Sequence, residues 1–133
     1  MALTLEDRWA IAELVHRHGH LTDAGELDAW EELFTADVVY DVSDLGFGAI
    51  EGLRAARTAA EALGAGNPVA HHVTNVVVTD GADGGARVLS KGLGVRTDGT
   101  VGSVTYEDVV VRTEAGWRIS RRTVRARREP LTR

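Results

Sequence analysis

The chain has no cysteine, which excludes disulfides, thiolate nucleophiles and cysteine-ligated metals together. It has no apolar stretch approaching the ~20 residues that cross a bilayer, so no membrane partner is expected. It lacks a basic or acidic block long enough to form a tail. Fifteen basic against twenty acidic residues leave a net charge of −5, and a nucleic-acid binder would more often be basic overall. The start, MALTLEDRWAIAEL, carries acids early and has no basic-then-apolar leader pattern, so the expected setting is the cytoplasm. Repeats, low-complexity tracts and long linkers are also missing, and 133 residues are expected to form one domain, 1–133. What remains is ordinary globular composition, 44% hydrophobic and 26% charged.

The first half reads as helical. Thr4 with Asp7 suits an N-cap with an acid in the first turn. Trp9, Ile11, Leu14, Val15, His18 and Leu21 follow near helical spacing, and Gly25 is placed to close that helix. Asp28 and Glu31 open a short second helix, DAWEELF, which hands over to a strand, DVVYDV. After Glu51-Gly52 comes an alanine-rich amphipathic helix, LRAARTAAEAL, ended by GAGNP. From Val69 the pattern changes to strands at 69–79, 86–96, 101–113 and 116–127, joined by DGADGG, TDG and TEAG. Those joints are hairpin chemistry. Helices first and a meander afterwards predict an α+β fold, with helices covering one face of a curved antiparallel sheet.

The candidate residues each have a plain structural alternative. Asp23 ends the first helix, where a carboxylate meets the negative pole of the dipole; it also suits an Asx turn. His18 lies on the apolar stripe, pointing to a core or a cavity. His16 and His20 have the i, i+4 spacing of a metal pair but lack the HExxH pattern, so no metal is expected. His71 and His72 must face opposite sides of a strand. Alternation groups His71 with Val73, Asn75 and Val77, and His72 with Thr74, Val76 and Val78; valines in both sets leave the choice open. Tyr106 and Asp108 share a face of the third late strand. The arginines of RISRRTVRARR fit pairing with acids or an outer sheet face. Gly46, Gly48 and Gly52 form no phosphate loop, since no GxxxxGK[ST] occurs.

In order and spacing, HRHGHLTDAGELDAWEELFTADVVYDVSDLGFGAIEG, then HHVTNVVVTDGADGGARV, then TYEDVVVRTEAGWRISRR resembles the SnoaL-like branch of the nuclear-transport-factor-like superfamily over nearly the whole chain. The resemblance implies a cone-shaped barrel, a curved antiparallel sheet around a central pocket with N-terminal helices closing it. In scytalone dehydratase and the bile-acid dehydratases, more distantly similar, an aspartate after the first helix pairs with a histidine on a central strand. These map onto Asp23 and His71, so that His71 would face the cavity with Asn75 while His72 faces away. His18 stands where the family often has a tyrosine, five residues before the aspartate. The tyrosine expected on the first strand falls at Val42, with Tyr40 nearest.

The resemblance therefore implies acid–base catalysis by Asp23, His71 and His18, with Tyr40, Asn75, Tyr106 and Trp30 contacting substrate. The reading is a lyase or isomerase, a dehydratase or cyclase acting on a small apolar ring-containing metabolite without metal or organic cofactor. A non-catalytic ligand-binding or dimerisation module is the alternative, and an epoxide hydrolase, which wants paired carboxylates around an arginine, a third. The resemblance also implies a homodimer through the outer sheet face, for which Val76, Val78 and Val109 are candidates.

Overall fold

A computed structural model describes residues 2–131. Helix α1 spans Leu5–Asp23 and starts in a reciprocal capping box: Thr4 Oγ1 accepts from the Asp7 amide, and Asp7 accepts from the Thr4 amide. Its stripe of Ile11, Leu14, Val15 and His18 is buried, while Trp9 stands 71% exposed, outside that stripe. A 3₁₀ turn over Leu27–Glu32 leads into strand β1, Phe34–Val42. Strand β2, Gly48–Glu51, pairs back on β1, and helix α2, Leu53–Leu63, follows. Strands β3 (Ala70–Asp80), β4 (Ala86–Val95), β5 (Val101–Thr113) and β6 (Gly116–Arg127) complete the chain.

The six strands form one sheet in the order β2-β1-β6-β5-β4-β3. Strands β3 to β6 are the expected antiparallel meander. Strand β1 joins β6 in parallel, so the sheet is mixed, because the connection from β1 runs through α2 and the whole meander before β6 is reached. The sheet is curved and stays open between β2 and β3. Helix α1 lies against β3 and β6, and α2 against β1 and β2. Among the described residues no helix is long and apolar enough to cross a membrane.

Two local features set the geometry beneath α1. Gly19 lets the helix approach β3 so closely that a Cβ there would stand 2.7 Å from the His71 carbonyl oxygen. Strand β3 then carries a bulge between Thr74 and Val77, with Asn75 at φ 56°. The extra residue reverses the alternation. His71 and Val73 face the helices before the bulge, and Val76 and Val78 pack on the same core after it. Val76 and Val78 are thus inner residues. The outer face instead exposes Val77 and Leu89 by about half, 54% and 50%, and Leu93 by 43%.

Candidate active site

Asp23 is the last residue of α1, and Gly25, at φ 72°, turns the chain away beneath it. Its carboxylate reaches the first turn of β3. Asp23 accepts the His71 backbone amide with both oxygens, at 3.1 and 2.9 Å. Asp23 Oδ1 also lies 2.6 Å from His71 Nδ1. The side chains are 26% and 16% exposed, so the pair sits at the boundary between core and solvent. The three bonds fix both backbone and ring of His71. A carboxylate oxygen accepts in this contact, so Nδ1 carries the hydrogen, and in the neutral form of the ring Nε2 holds the lone pair. His71 lines the cavity, whereas His72 is exposed on the other face.

The cavity holds about 950 Å³, the size of a small-molecule site. His18, Trp30, Tyr40 and Tyr106 line it with His71. Trp30 is held by Nε1 donating to Thr22 Oγ1 at 3.2 Å, and its ring lies 3° from parallel with Tyr40. His18 stacks on Trp30 with centroids 5.5 Å apart, and its Nε2 lies 3.4 Å from the Tyr40 hydroxyl. Burial, with the Arg122 charge adding to it, pushes the His18 pKa well below the usual imidazole range. His18 is therefore a neutral ring, and its Nδ1 has no partner among the described residues. Burial raises the phenol pKa of both Tyr40 and Tyr106, so each hydroxyl stays protonated as a donor.

Behind the tyrosines lies an ion pair that sequence reasoning missed. Arg122 and Asp108, both 0% exposed in their side chains, bond through two contacts of 2.8 Å. The Arg122 guanidinium lies 4.2 Å from the centroid of the Tyr106 ring. Burial works against the charge, but the Asp108 carboxylate more than offsets it, and the guanidinium stays ionised. The only sequence clue was a face shared by Tyr106 and Asp108; nothing identified Arg122 among its neighbouring arginines. Arg122 Nη1 has no partner among the described residues, so the second carboxylate wanted for an epoxide-opening trio is not beside it.

Asn75 is not part of this site. It is exposed at the bulge and does not line the cavity, because the added residue turns it to the outer face. His16 and His20 are exposed on α1. Among the described residues no group of three or more His, Asp or Glu is arranged to hold a metal ion.

Residues 3–123 match the model of the SnoaL-like domain. No curated protein sequence matches the chain. Among solved structures, the chain is similar to one from Novosphingobium aromaticivorans provisionally assigned as an aromatic ring hydroxylase. That protein is 31% identical, with a TM-score of 0.76 over 93% of this chain and 91% of that one. A nuclear-transport-factor-2-like protein with a cystatin-like fold from the same organism is 34% identical, with a TM-score of 0.70 over 92% and 82%. A protein provisionally assigned as a scytalone dehydratase, also from that organism, shares the fold at 21% identity, with a TM-score of 0.73 over 93% and 86%. With the helix-covered sheet and the matched domain spanning nearly its whole length, the chain belongs to the SnoaL-like family.

Proposed function

We propose that the protein is a cofactor-independent lyase or isomerase that performs acid–base chemistry on a small ring-containing ketone. The observation that carries the reading is the Asp23–His71 pair, 2.6 Å apart at the wall of a cavity lined by aromatic rings. With Nδ1 bonded to Asp23, His71 Nε2 is the base. It takes a proton from the carbon next to the substrate carbonyl, and Asp23 stabilises the imidazolium that forms. The C–H electron pair moves into an enolate, whose oxygen accepts a hydrogen bond from Tyr40 or Tyr106. A hydroxyl on the next carbon then leaves with the imidazolium proton as water. If no leaving group is present, the proton returns to another atom and the result is isomerisation.

Each residue has a role in that scheme. Asp23 and His71 form the dyad; Tyr40 and Tyr106 polarise the carbonyl; Trp30 supplies a flat wall for a ring. His18, neutral by burial, orients the Tyr40 hydroxyl rather than moving a proton itself. A positioned acid–base group contributes about 10²–10⁴-fold in rate. The provisional assignments of two fold relatives, as an aromatic ring hydroxylase and a scytalone dehydratase, support a ring compound as substrate. The test is a panel of β-hydroxy ring ketones followed by ultraviolet absorbance, since loss of water conjugates the product. Turnover should appear with the wild type and fall about 10²-fold or more in Asp23→Asn. Equal turnover by that variant would rule out the dyad as base.

A further inference from the structure

The mouth of the cavity is cationic, although the chain carries a net charge of −5. Arg96, Arg127 and Arg128 belong to its lining, and no described aspartate, glutamate or lysine does. The other arginines of β6 are mostly engaged: Arg121 pairs with Asp41, Arg122 with Asp108 and Arg125 with Glu107. The three at the mouth form no ion pair with a described carboxylate. Arg96 donates to the Thr100 hydroxyl at 3.4 Å, which itself donates to the nearby Asp98 carboxylate at 2.7 Å, and Arg128 donates to the Asp44 carbonyl at 3.2 Å. Both direct partners are neutral groups, although the Arg96 charge is felt by Asp98.

Alternation carries two of them to the inner face. Arg96 is in phase with the buried Ser90 and Gly92 of β4, and Arg128 with the buried Arg122 and Val124 of β6. Between them the sheet floor carries no side chain of its own, because Gly94 of β4 pairs with Gly102 of β5; the Pro68 ring covers Gly94, its Cγ 3.1 Å from where a Cβ would stand, and the Gly102 half is met only by Arg96. Arg96 Nη2 lies 3.1 Å from where a Gly102 Cβ would stand. Ser103 pairs with Arg127, so Arg128 falls opposite Gly102 on the next step. His71 pairs with Gly94, and one row therefore runs His71, Gly94, Gly102, Arg128. With neighbouring strands ~4.8 Å apart, the row spans roughly 14 Å from the base to the cations.

Resting on the small-molecule reading above, we infer that the substrate is a fused-ring compound carrying an anionic group, a carboxylate or a phosphate. Arg96 and Arg128 clamp that group over Gly102, beside the Pro68 ring that covers Gly94, while the ring lies between Trp30 and His71. Arg127 adds charge at the rim. Two guanidiniums facing one open patch repel each other until an anion fills it, and planar bidentate donors fit both carboxylate and phosphate oxygens. The separation along the row matches a fused bicyclic or tricyclic skeleton once the arginine side chains reach inward.

The test is calorimetric titration of the whole protein with 2-naphthol, 2-naphthoate and 2-naphthyl phosphate at low salt. Both anions should bind at least tenfold tighter than the neutral naphthol, and whichever binds tighter identifies the group. In the Arg96→Gln/Arg128→Gln variant that advantage should disappear, with naphthol affinity unchanged within twofold and melting temperature retained. Arg121→Gln, on the outer face, should leave all three affinities unchanged. If the anions bind no better than naphthol, or the double variant weakens naphthol as much as the anions, the anion clamp is overturned while the ligand cavity stands. If the folded wild type binds none of the three, the small-molecule reading itself falls, and the clamp with it.

Discussion

Gly19→Ala is a one-methyl perturbation that acts on the dyad without touching it. The added Cβ would stand 2.7 Å from the His71 carbonyl oxygen, a backbone atom that cannot rotate away, and ordinary contact begins near 3.4 Å. Helix α1 must therefore move off β3 by at least the difference, 3.4 − 2.7 = 0.7 Å. Asp23 sits one turn further along the same helix. If it follows the helix, its 2.6 Å contact with His71 Nδ1 lengthens toward 3.3 Å, at the limit of a hydrogen bond. Overpacking of this kind costs about 1–3 kcal/mol, and a misplacement near 1 Å costs on the order of 10²-fold in rate. Denaturant unfolding gives the first number. Nitrogen-15 NMR of the imidazoles gives the second effect directly, as loss of the single Nδ1–H tautomer of His71. Gly66→Ala is the control, since a Cβ there meets nothing within 4 Å. A Gly19→Ala protein with unchanged stability and an intact His71 tautomer would refute the argument that this close approach holds the dyad.

Arg122→Met strands a buried carboxylate, so it should destabilise by about 3–5 kcal/mol in denaturant unfolding, and Arg122→Met/Asp108→Leu should recover much of that loss. Because burial lowers the His18 pKa in the folded state, the unfolded chain binds the extra proton as pH falls below the ordinary histidine value of 6.5. Stability should then drop by up to about 1.4 kcal/mol per pH unit below that point. His18→Phe should remove this component, as unfolding at pH 7 and pH 5 would measure. A second copy of the chain should cover Val77, Leu89 and Leu93 on the outer sheet face, and sedimentation equilibrium should give a dimer that Leu89→Lys converts to monomer.

The meander was legible because its turns are local: glycine and aspartate clusters between apolar runs mark hairpin ends within a residue or two. Strand β2 was missed, being four mostly exposed residues with no alternation to read. The parallel pairing of β1 with β6 joins segments some 80 residues apart and leaves no local signal. Asn75 shows the limit of period-2 reasoning. Alternation counted through it placed Asn75 and Val77 beside His71, but a single αL residue at φ 56° shifts the phase, and a bulge in an asparagine-containing strand has no distinctive spelling. Asp23 and His71 stood out only through the family resemblance, because 48 residues separate them and either residue alone has an ordinary explanation. The Arg122–Asp108 pair was hidden for a related reason: among seven arginines after residue 117, only cross-strand register singles out the buried one.

The central claim is that His71, supported by Asp23, removes a proton next to a carbonyl. It is tested most directly by proton exchange, which needs no knowledge of the leaving group. The protein is incubated in D₂O with fused-ring ketones such as tetralones, and loss of the α-proton signal is followed by NMR. The account predicts stereoselective exchange catalysed by the wild type, slowed about 10²-fold or more in both Asp23→Asn and His71→Asn, with ketone affinity nearly unchanged. Exchange that proceeds equally fast in those variants, or wild-type protein that binds the ketones without exchanging them, would contradict it.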